Sequence, residues 1–527
     1  MPNCVDRVND RAGPAKARIP AGENHPVMPA KAGIPGGEGR PVMPAKAGIP
    51  GSERRRRFSP PGAPAFAGVT VKALTAALLL AAPASAQVDR PEYLRAVAAG
   101  YKAAFLCSDL FNAGQNEEQI ARDDLQRIYP ELEPLIPGLK ASVDREAKTV
   151  SVAFSDKLPP RIAAWRPQLG CAQLPIGATA DSVRLLPRLA VDPAVDRNDR
   201  LPWPDGDRNA AARPRGDAKA LARAVSAAFD RRTYGQGSET TAVLVLQDGK
   251  IVAERYRDDF DLHVPQRTWS VAKSIAGSVI GAAVQQGLID VNAPAPIPEW
   301  RRPGDPRAAI TTDTLLRMAS GLHSDAAGNR TDATYFGGSS VTENATQGPL
   351  ETAPNTRFRY ANNDILLAVR GLRSKLGDGD RALAFPFESL LWKIGMTRTF
   401  PETDWQGNFI LSSQVWTTAR DLGRLGLLYQ NDGVWNGERI LPPGWGDYVS
   451  RRGPAQPASG YGYGASFWTF PADLGLPADA YIGQGNRGQY LAIIPSRRIV
   501  VVRRGYDGPG TAFDPGLFVK DVLAALR

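Results

Sequence analysis

Two strand signals, far apart along the chain, limit the folds open to it. Thr241–Gln247 (TAVLVLQ) and Lys250–Tyr256 (KIVAERY) flank Asp248-Gly249. Two runs rich in β-branched and aliphatic residues around an Asp-Gly turn predict a hairpin. Near the other end, Tyr490–Pro495 and Arg498–Arg503 (RIVVVR) repeat the pattern, and Pro515–Arg527 reads as a closing helix. The stretch between is mostly helical in pattern, with long loops. Four strands of this kind bury their apolar faces most simply by pairing with one another. The expected class is therefore α/β (α+β), with an antiparallel sheet built from both ends of the region and flanked by helices.

At 527 residues the chain exceeds what one ordinary core organises, so further segments are expected. Residues 87–200 read as a small N-terminal domain of unassigned role. It has a helix over Tyr93–Leu110, a strand over Thr149–Ser155 and irregular Pro-containing sequence around Cys171. The polar, Pro/Gly-rich stretch over 201–216 reads as a linker, and 217–527 as the main domain. Residues 1–70 are of another kind: PAKAGIP occurs at Pro29–Pro35 and Pro44–Pro50, with Lys16, Lys31 and Lys46 evenly spaced. Such repeats hold too few apolar side chains to bury a core, so a disordered leader is expected, and its regularity suggests a translated repeat upstream of the true start.

Val71-Lys72, the apolar run ALTAALLLAAPASA and the triplet Ala84-Ser85-Ala86 make residues 71–86 a signal peptide, with cleavage after Ala86. The destination this implies is the periplasm or the exterior. No later stretch approaches the roughly 18 apolar residues of a membrane span, so no integral segment is expected after cleavage. The net charge of +10 is concentrated at the front: residues 1–86 hold 12 Lys/Arg against 5 Asp/Glu, leaving 52 against 49. With no basic stripe elsewhere, a nucleic-acid partner is not expected. Histidine is limited to His25, His263 and His323, with no H-E-x-x-H and no Cys/His cluster, so neither a metal nor another cofactor is expected. Cys107 and Cys171 are the only cysteines after the leader. They are candidates for one disulfide, which export permits, or are two unrelated buried thiols.

The chemistry-bearing pattern is Trp269-Ser270-Val271-Ala272-Lys273-Ser274, which opens a helix running to about Gln286 with Gly287 as its stop. Serine in the first turn and lysine three residues on share one helical face. The free N–H groups of that turn favour developing negative charge, and a lysine half-buried there loses affinity for its proton. Ser270 is the candidate nucleophile and Lys273 its base. No other S-x-x-K occurs in the chain. Ninety residues on, Tyr360-Ala361-Asn362 offers a proton-transferring tyrosine and an amide able to orient the lysine or bind a carbonyl. Tyr429-Gln430-Asn431 has the same spacing but reads as a helix end before Asp432-Gly433. Gly483-Gln484-Gly485-Asn486 begins a glycine-rich strand able to approach a substrate closely.

Together these motifs resemble the serine β-lactamase-related hydrolases: class C β-lactamases, penicillin-binding-protein-like DD-peptidases, their esterase relatives and the 6-aminohexanoate-dimer hydrolases, the last branch being the nearest. Gly287–Pro294 (GLIDVNAP), Leu315–Leu322 (LLRMASGL) and Ala419–Leu441 add to the likeness, which covers about residues 240–527. The resemblance implies a β-lactamase/transpeptidase-like fold and an acyl-enzyme on Ser270, with Lys273 and Tyr360 moving protons. It implies oxyanion donation by the backbone N–H groups of Ser270 and Asn486, with Gly483, Gln484 and Gly485 on the third-motif strand. The family's K-T-G lysine is replaced in Gly483-Gln484-Gly485, which argues for a small-molecule ester or amide substrate over a β-lactam or a peptidoglycan stem. Arg487 is either a substitute charge or an exposed arginine.

Three other classes are set against this reading. An α/β-hydrolase triad lacks its G-x-S-x-G elbow and has only His263 and His323 as bases in the mature chain. His323 reads as a loop residue at the rim of a cleft. An inactive penicillin-binding-protein-like scaffold would not need Ser270, Lys273 and Tyr360 together. A true β-lactamase or DD-peptidase would ordinarily hold the missing lysine. Nothing in the sequence sets an oligomeric state.

Overall fold

The apolar residues of Thr240–Gln247 leave no face for solvent, and in a computed structural model of the protein both faces of this strand are covered. The structure describes residues 90–527 apart from 191–198, 209 and 325–330. The repeat leader and the 71–86 signal peptide lie outside the described residues.

Sixteen strands are described. β1 (Ala141–Asp144), β2 (Thr149–Val152), β3 (Arg161–Arg166) and β4 (Gly170–Gln173) form an antiparallel sheet in sequence order. β5 (Thr240–Gln247) and β6 (Lys250–Tyr256) are the expected hairpin. β7 (Gln266–Arg267), β8 (Phe400–Pro401) and β9 (Val415–Thr417) make a small sheet in the order β7-β9-β8, and β10 (Val434–Trp435) pairs with β11 (Glu438–Arg439). β12 (Gly462–Tyr463), β13 (Trp468–Thr469), β14 (Tyr481–Gly485), β15 (Gln489–Ile494) and β16 (Ile499–Gly505) complete the main sheet, ordered β12-β13-β14-β15-β16-β5-β6. The β16–β5 pairing, with Val501 opposite Val245, closes the two ends of the chain into one sheet.

Side chains alternate across a strand, and the two faces of this sheet meet different helices. Val243, Val245 and Val501 pack with Leu221 and Val522, from the helices Ala218–Ala227 and Pro515–Ala525. Leu244, Leu246, Val500 and Val502 join the larger core with the helices Val271–Gln285 and Ala419–Gln430. A strand buried on both faces reads as a continuous apolar run, which is why β5 carries no alternation.

Residues from 90 onward belong to one compact unit. The helix Arg90–Phe111 lies on β2, β3 and β4, and its aromatic side reaches the rest of the chain. Tyr101 lies 4.8 Å from Phe336, ring to ring, and Phe105 lies 5.9 Å from Trp269 and 6.2 Å from Trp416. The buried Glu402 carboxylate accepts from Ser108 Oγ (2.6 Å), Asn112 Nδ2 (3.1 Å) and the Cys171 N–H (3.1 Å). The stretch over 201–216 is bonded near both ends: Trp203 Nε1 donates to the Gly249 carbonyl, Arg424 donates to those of Pro204 and Gly206, and the Arg215 N–H donates to Gln247 Oε1. Among the described residues, no helix is long and apolar enough to cross a membrane.

Cys107 and Cys171 are joined by a disulfide that ties the Arg90–Phe111 helix to β4, with their Cα atoms 6.2 Å apart. The bridge closes a loop of 64 residues, and chain-entropy reasoning gives such a loop about 4 kcal/mol of stabilisation. The Cys107→Ser/Cys171→Ser double variant is therefore expected to unfold at markedly lower denaturant concentration. An unchanged midpoint in equilibrium urea unfolding would contradict this.

Candidate active site

The helix Val271–Gln285 is built from small and aliphatic residues, so it can run through the core with every residue from Val271 to Ala283 buried. Gly281 shows how close the packing is: a Cβ there would lie 2.6 Å from Trp445 Nε1. Ser270 is the residue at the helix N-terminus, and the chain turns into it through Trp269 in a left-handed conformation (φ +49°). Such backbone is uncommon for a bulky residue and is retained where surrounding packing enforces it. Here the Arg267 guanidinium sits 4.1 Å over the Trp269 ring.

Because the helix is buried, Lys273 is buried with it, 1% exposed. Its Nζ lies 3.0 Å from Ser270 Oγ, 2.6 Å from Asn362 Oδ1 and 2.7 Å from the Ser412 carbonyl. Burial pushes the lysine well below its ordinary pKa. All three contacts have Nζ as donor, to Ser270 Oγ, Asn362 Oδ1 and the Ser412 carbonyl, and once deprotonated the amine is within reach of the Ser270 hydroxyl proton. Tyr360 completes the group. Its hydroxyl is on the Ser270 side of the cavity, its ring centroid is 4.9 Å from Lys273 Nζ, and burial raises its pKa while Ser270 lowers it. Asn362 begins the helix Asn362–Leu376, so the Y-A-N spacing places Tyr360 in the preceding loop and Asn362 beneath it.

β14 runs alongside. Gly485 leaves no room for a side chain, since a Cβ would lie 2.3 Å from the Thr268 carbonyl and 3.1 Å from the Ser270 nitrogen. Gly485→Ala must push the strand off the nucleophile's turn. A misplacement of about 1 Å can cost a hundred-fold in rate, so kcat/KM for an activated ester is expected to drop by about 10- to 100-fold, and wild-type kinetics in that variant would contradict the placement.

Ser270, Tyr360, Asn362, Gln484, Gly485 and Asn486 line one open cavity of about 410 Å3. Lys273 stands behind Ser270, outside the lining. Gly483 also lies off the cavity: a Cβ on it would meet Ser274 Oγ at 2.8 Å, one helical turn below the nucleophile. Tyr429, which shares the Y-x-N spacing, bonds Ser278 deeper in the core (2.9 Å). The sequence reading missed Tyr129, Trp269, Tyr335, Ser413, Trp468 and Tyr490, which complete the lining, and the Ser412 carbonyl on Lys273. Aromatics scattered over two loops, a short helix and the strands β13 and β15 carry no local signal of this kind, and a backbone carbonyl carries none.

Arg487 is not an exposed arginine: it is 6% exposed, with Nη1 3.4 Å from Asp124 of the N-terminal segment. His323 pairs with Glu351 in the loop region that follows Leu322. Asp199, Asp207 and His263 each bring one ligand atom within 4.8 Å of the others, but Arg398 and Arg424 already bind the two carboxylates.

The sequence family described as Beta-lactamase matches residues 218–503. A 6-aminohexanoate-dimer hydrolase of Paenarthrobacter ureafaciens is 26% identical over 321 residues, which is 54% of this chain and 79% of that protein. Among solved structures, a family VIII carboxylesterase aligns at 15% identity over 60% of this chain and 98% of its own, with a TM-score of 0.48. An octameric penicillin-binding protein homologue from Pyrococcus abyssi aligns at 16% identity over 59% of this chain and 77% of its own, with a TM-score of 0.44. With more than half of its length matched by the family, and an antiparallel sheet flanked by helices behind the S-x-x-K turn, the chain belongs to the beta-lactamase family of hydrolases.

Proposed function

We propose that this protein is an exported serine hydrolase that cleaves a small-molecule ester or amide through an acyl-enzyme on Ser270. The observation that carries the reading is the 3.0 Å contact of Lys273 Nζ with Ser270 Oγ, in a site where burial lowers the amine's affinity for its proton. Lys273 takes the Ser270 proton as Oγ attacks the carbonyl carbon. The backbone N–H groups of Ser270 and Asn486 are the oxyanion donors. Tyr360 passes its proton to the leaving group and recovers one from the Lys273 ammonium. Water then attacks the acyl-enzyme, and the same groups return the proton to Ser270. Asn362 and the Ser412 carbonyl position the lysine throughout.

Among the described residues, the 410 Å3 cavity has no lysine or arginine in its lining. A carboxylate held close to the scissile bond, as in a β-lactam, meets no cation there, so esters and simple amides are the favoured substrates. Residues 71–86 and the Cys107–Cys171 bridge support a periplasmic or extracellular destination. The test compares turnover of p-nitrophenyl acetate, p-nitrophenyl butyrate, nitrocefin and a short linear amide. Ester turnover above nitrocefin is expected. Nitrocefin in first place would overturn the substrate class, and no turnover of any substrate would overturn the catalytic reading in favour of a binding protein.

A further inference from the structure

The catalytic cavity does not end at its own lining. Tyr129, Trp269 and Asn486 are shared with a second cavity of about 290 Å3. Its opposite walls come from Arg127–Pro130 on one side and Arg487 with Asp507–Thr511 on the other. The first wall lies wholly outside the 218–503 region matched by the family.

The N-terminal wall is held in place by contacts of its own. The Glu133 carboxylate accepts from the N–H groups of Arg127 (2.8 Å) and Ile128 (3.3 Å), and Leu132 and Glu133 donate their N–H groups to the Tyr129 carbonyl. Arg127 makes a two-pronged pair with Glu239, just before β5 (2.5 and 2.8 Å). The Tyr129 ring lies 6.2 Å from Tyr101 and 6.4 Å from Phe336.

The facing wall carries an unusual arginine. Arg487 is in the left-handed region (φ +58°) at the β14–β15 turn, where a non-glycine residue is costly unless its surroundings enforce it. Its Nε donates to the Asp507 carbonyl (3.4 Å) and its Nη1 to Asp124 (3.4 Å), while the buried Nη2 has no hydrogen-bond partner. A buried donor without an acceptor is expensive, and the residue that carries it lines a cavity that opens on the nucleophile.

We propose that the N-terminal segment completes the substrate site: Tyr129 and Trp269 flank a second compartment for a long acyl chain, whose far end presents an oxygen acceptor to Arg487. This rests on the catalytic reading above. The acyl side is assigned because Tyr360, the leaving-group proton donor of that reading, and Trp468 border only the first cavity, whereas Asn486 of the oxyanion strand borders both. The acceptor is a carboxylate or an amide carbonyl.

The test is a series of p-nitrophenyl esters: acetate, hexanoate, the monoester of adipic acid and its terminal amide. Six-carbon acyl chains are expected to exceed acetate in kcat/KM, and an acceptor at the far end to add about ten-fold over hexanoate. An advantage for the carboxylate alone identifies an anionic acceptor, and an advantage for both identifies any oxygen acceptor. Arg487→Met is expected to erase the advantage of the acceptor-ended esters over hexanoate, with thermal unfolding monitored alongside. Tyr129→Ala, a half-buried site independent of the Arg487–Asp124 pair, is expected to erase the preference for six-carbon chains over acetate. A flat series with acetate hydrolysed normally would overturn this inference and leave the catalytic reading standing, as would an acceptor preference that survives in folded Arg487→Met. Failure to hydrolyse any ester would instead sink the catalytic reading.

Discussion

Ser270→Ala is expected to lower kcat/KM for p-nitrophenyl acetate by at least about a thousand-fold while leaving the fold intact, since loss of a nucleophile removes the covalent route altogether. The two effects separate because of how Ser270 sits. Although it occupies the N-terminal position of the Val271–Gln285 helix, its side chain makes no capping hydrogen bond, so the usual cost of about 1 kcal/mol for losing a serine cap does not apply. Lys273 keeps Asn362 Oδ1 and the Ser412 carbonyl as partners in the variant. Near-native thermal unfolding with ester turnover at background is therefore the expected pair of results. Turnover close to wild type would remove Ser270 from the mechanism.

Lys273→Met is expected to lower kcat/KM by about 10²- to 10⁴-fold, the usual contribution of a positioned general base, and to change the dependence on pH. Burial holds the wild-type lysine well below its ordinary value of 10.5. The rate should therefore rise with pH along a limb centred below that value, as the amine loses its proton, and the residual activity of the methionine variant should lack the limb. Stability moves in the same direction with pH. A lysine whose folded pKa is depressed binds fewer protons folded than unfolded, so wild-type stability rises with pH between the folded value and the ordinary one. Methionine fills similar space without a charge to desolvate, so the variant should lose that slope and be at least as stable as wild type below the window. A limb and a stability slope that both persist in Lys273→Met would assign the titration to another group.

The parts of this molecule legible in the sequence are those with short-range signatures. The β5–β6 hairpin follows from an Asp-Gly turn between two apolar runs, and its pairing with β16 follows because those runs need partners. Ser270 and Lys273 share a helical face, and a helix of small residues must be buried, so their contact is implied before any coordinates. Gly483 shows where such reasoning stops. It alternates with Gly485 on the same strand face, yet it opposes Ser274 rather than the cavity, because the strand runs down the helix and away from its first turn. Arg487 in GNRGQ reads as the tip of a surface hairpin, and only the segment over 90–124 folding over it, with Asp124 at its end, explains its burial. Tyr129, more than a hundred residues before the nucleophile, reaches the cleft through contacts that no local pattern encodes.

The most direct test of the central claim is to treat the protein with a fluorophosphonate and map the adduct by peptide mass spectrometry. A single adduct on the peptide containing Ser270, prevented by prior incubation with an activated ester substrate and absent from Ser270→Ala, is the predicted result. An adduct on a different residue, or none on protein that hydrolyses esters, would contradict an acyl-enzyme on Ser270.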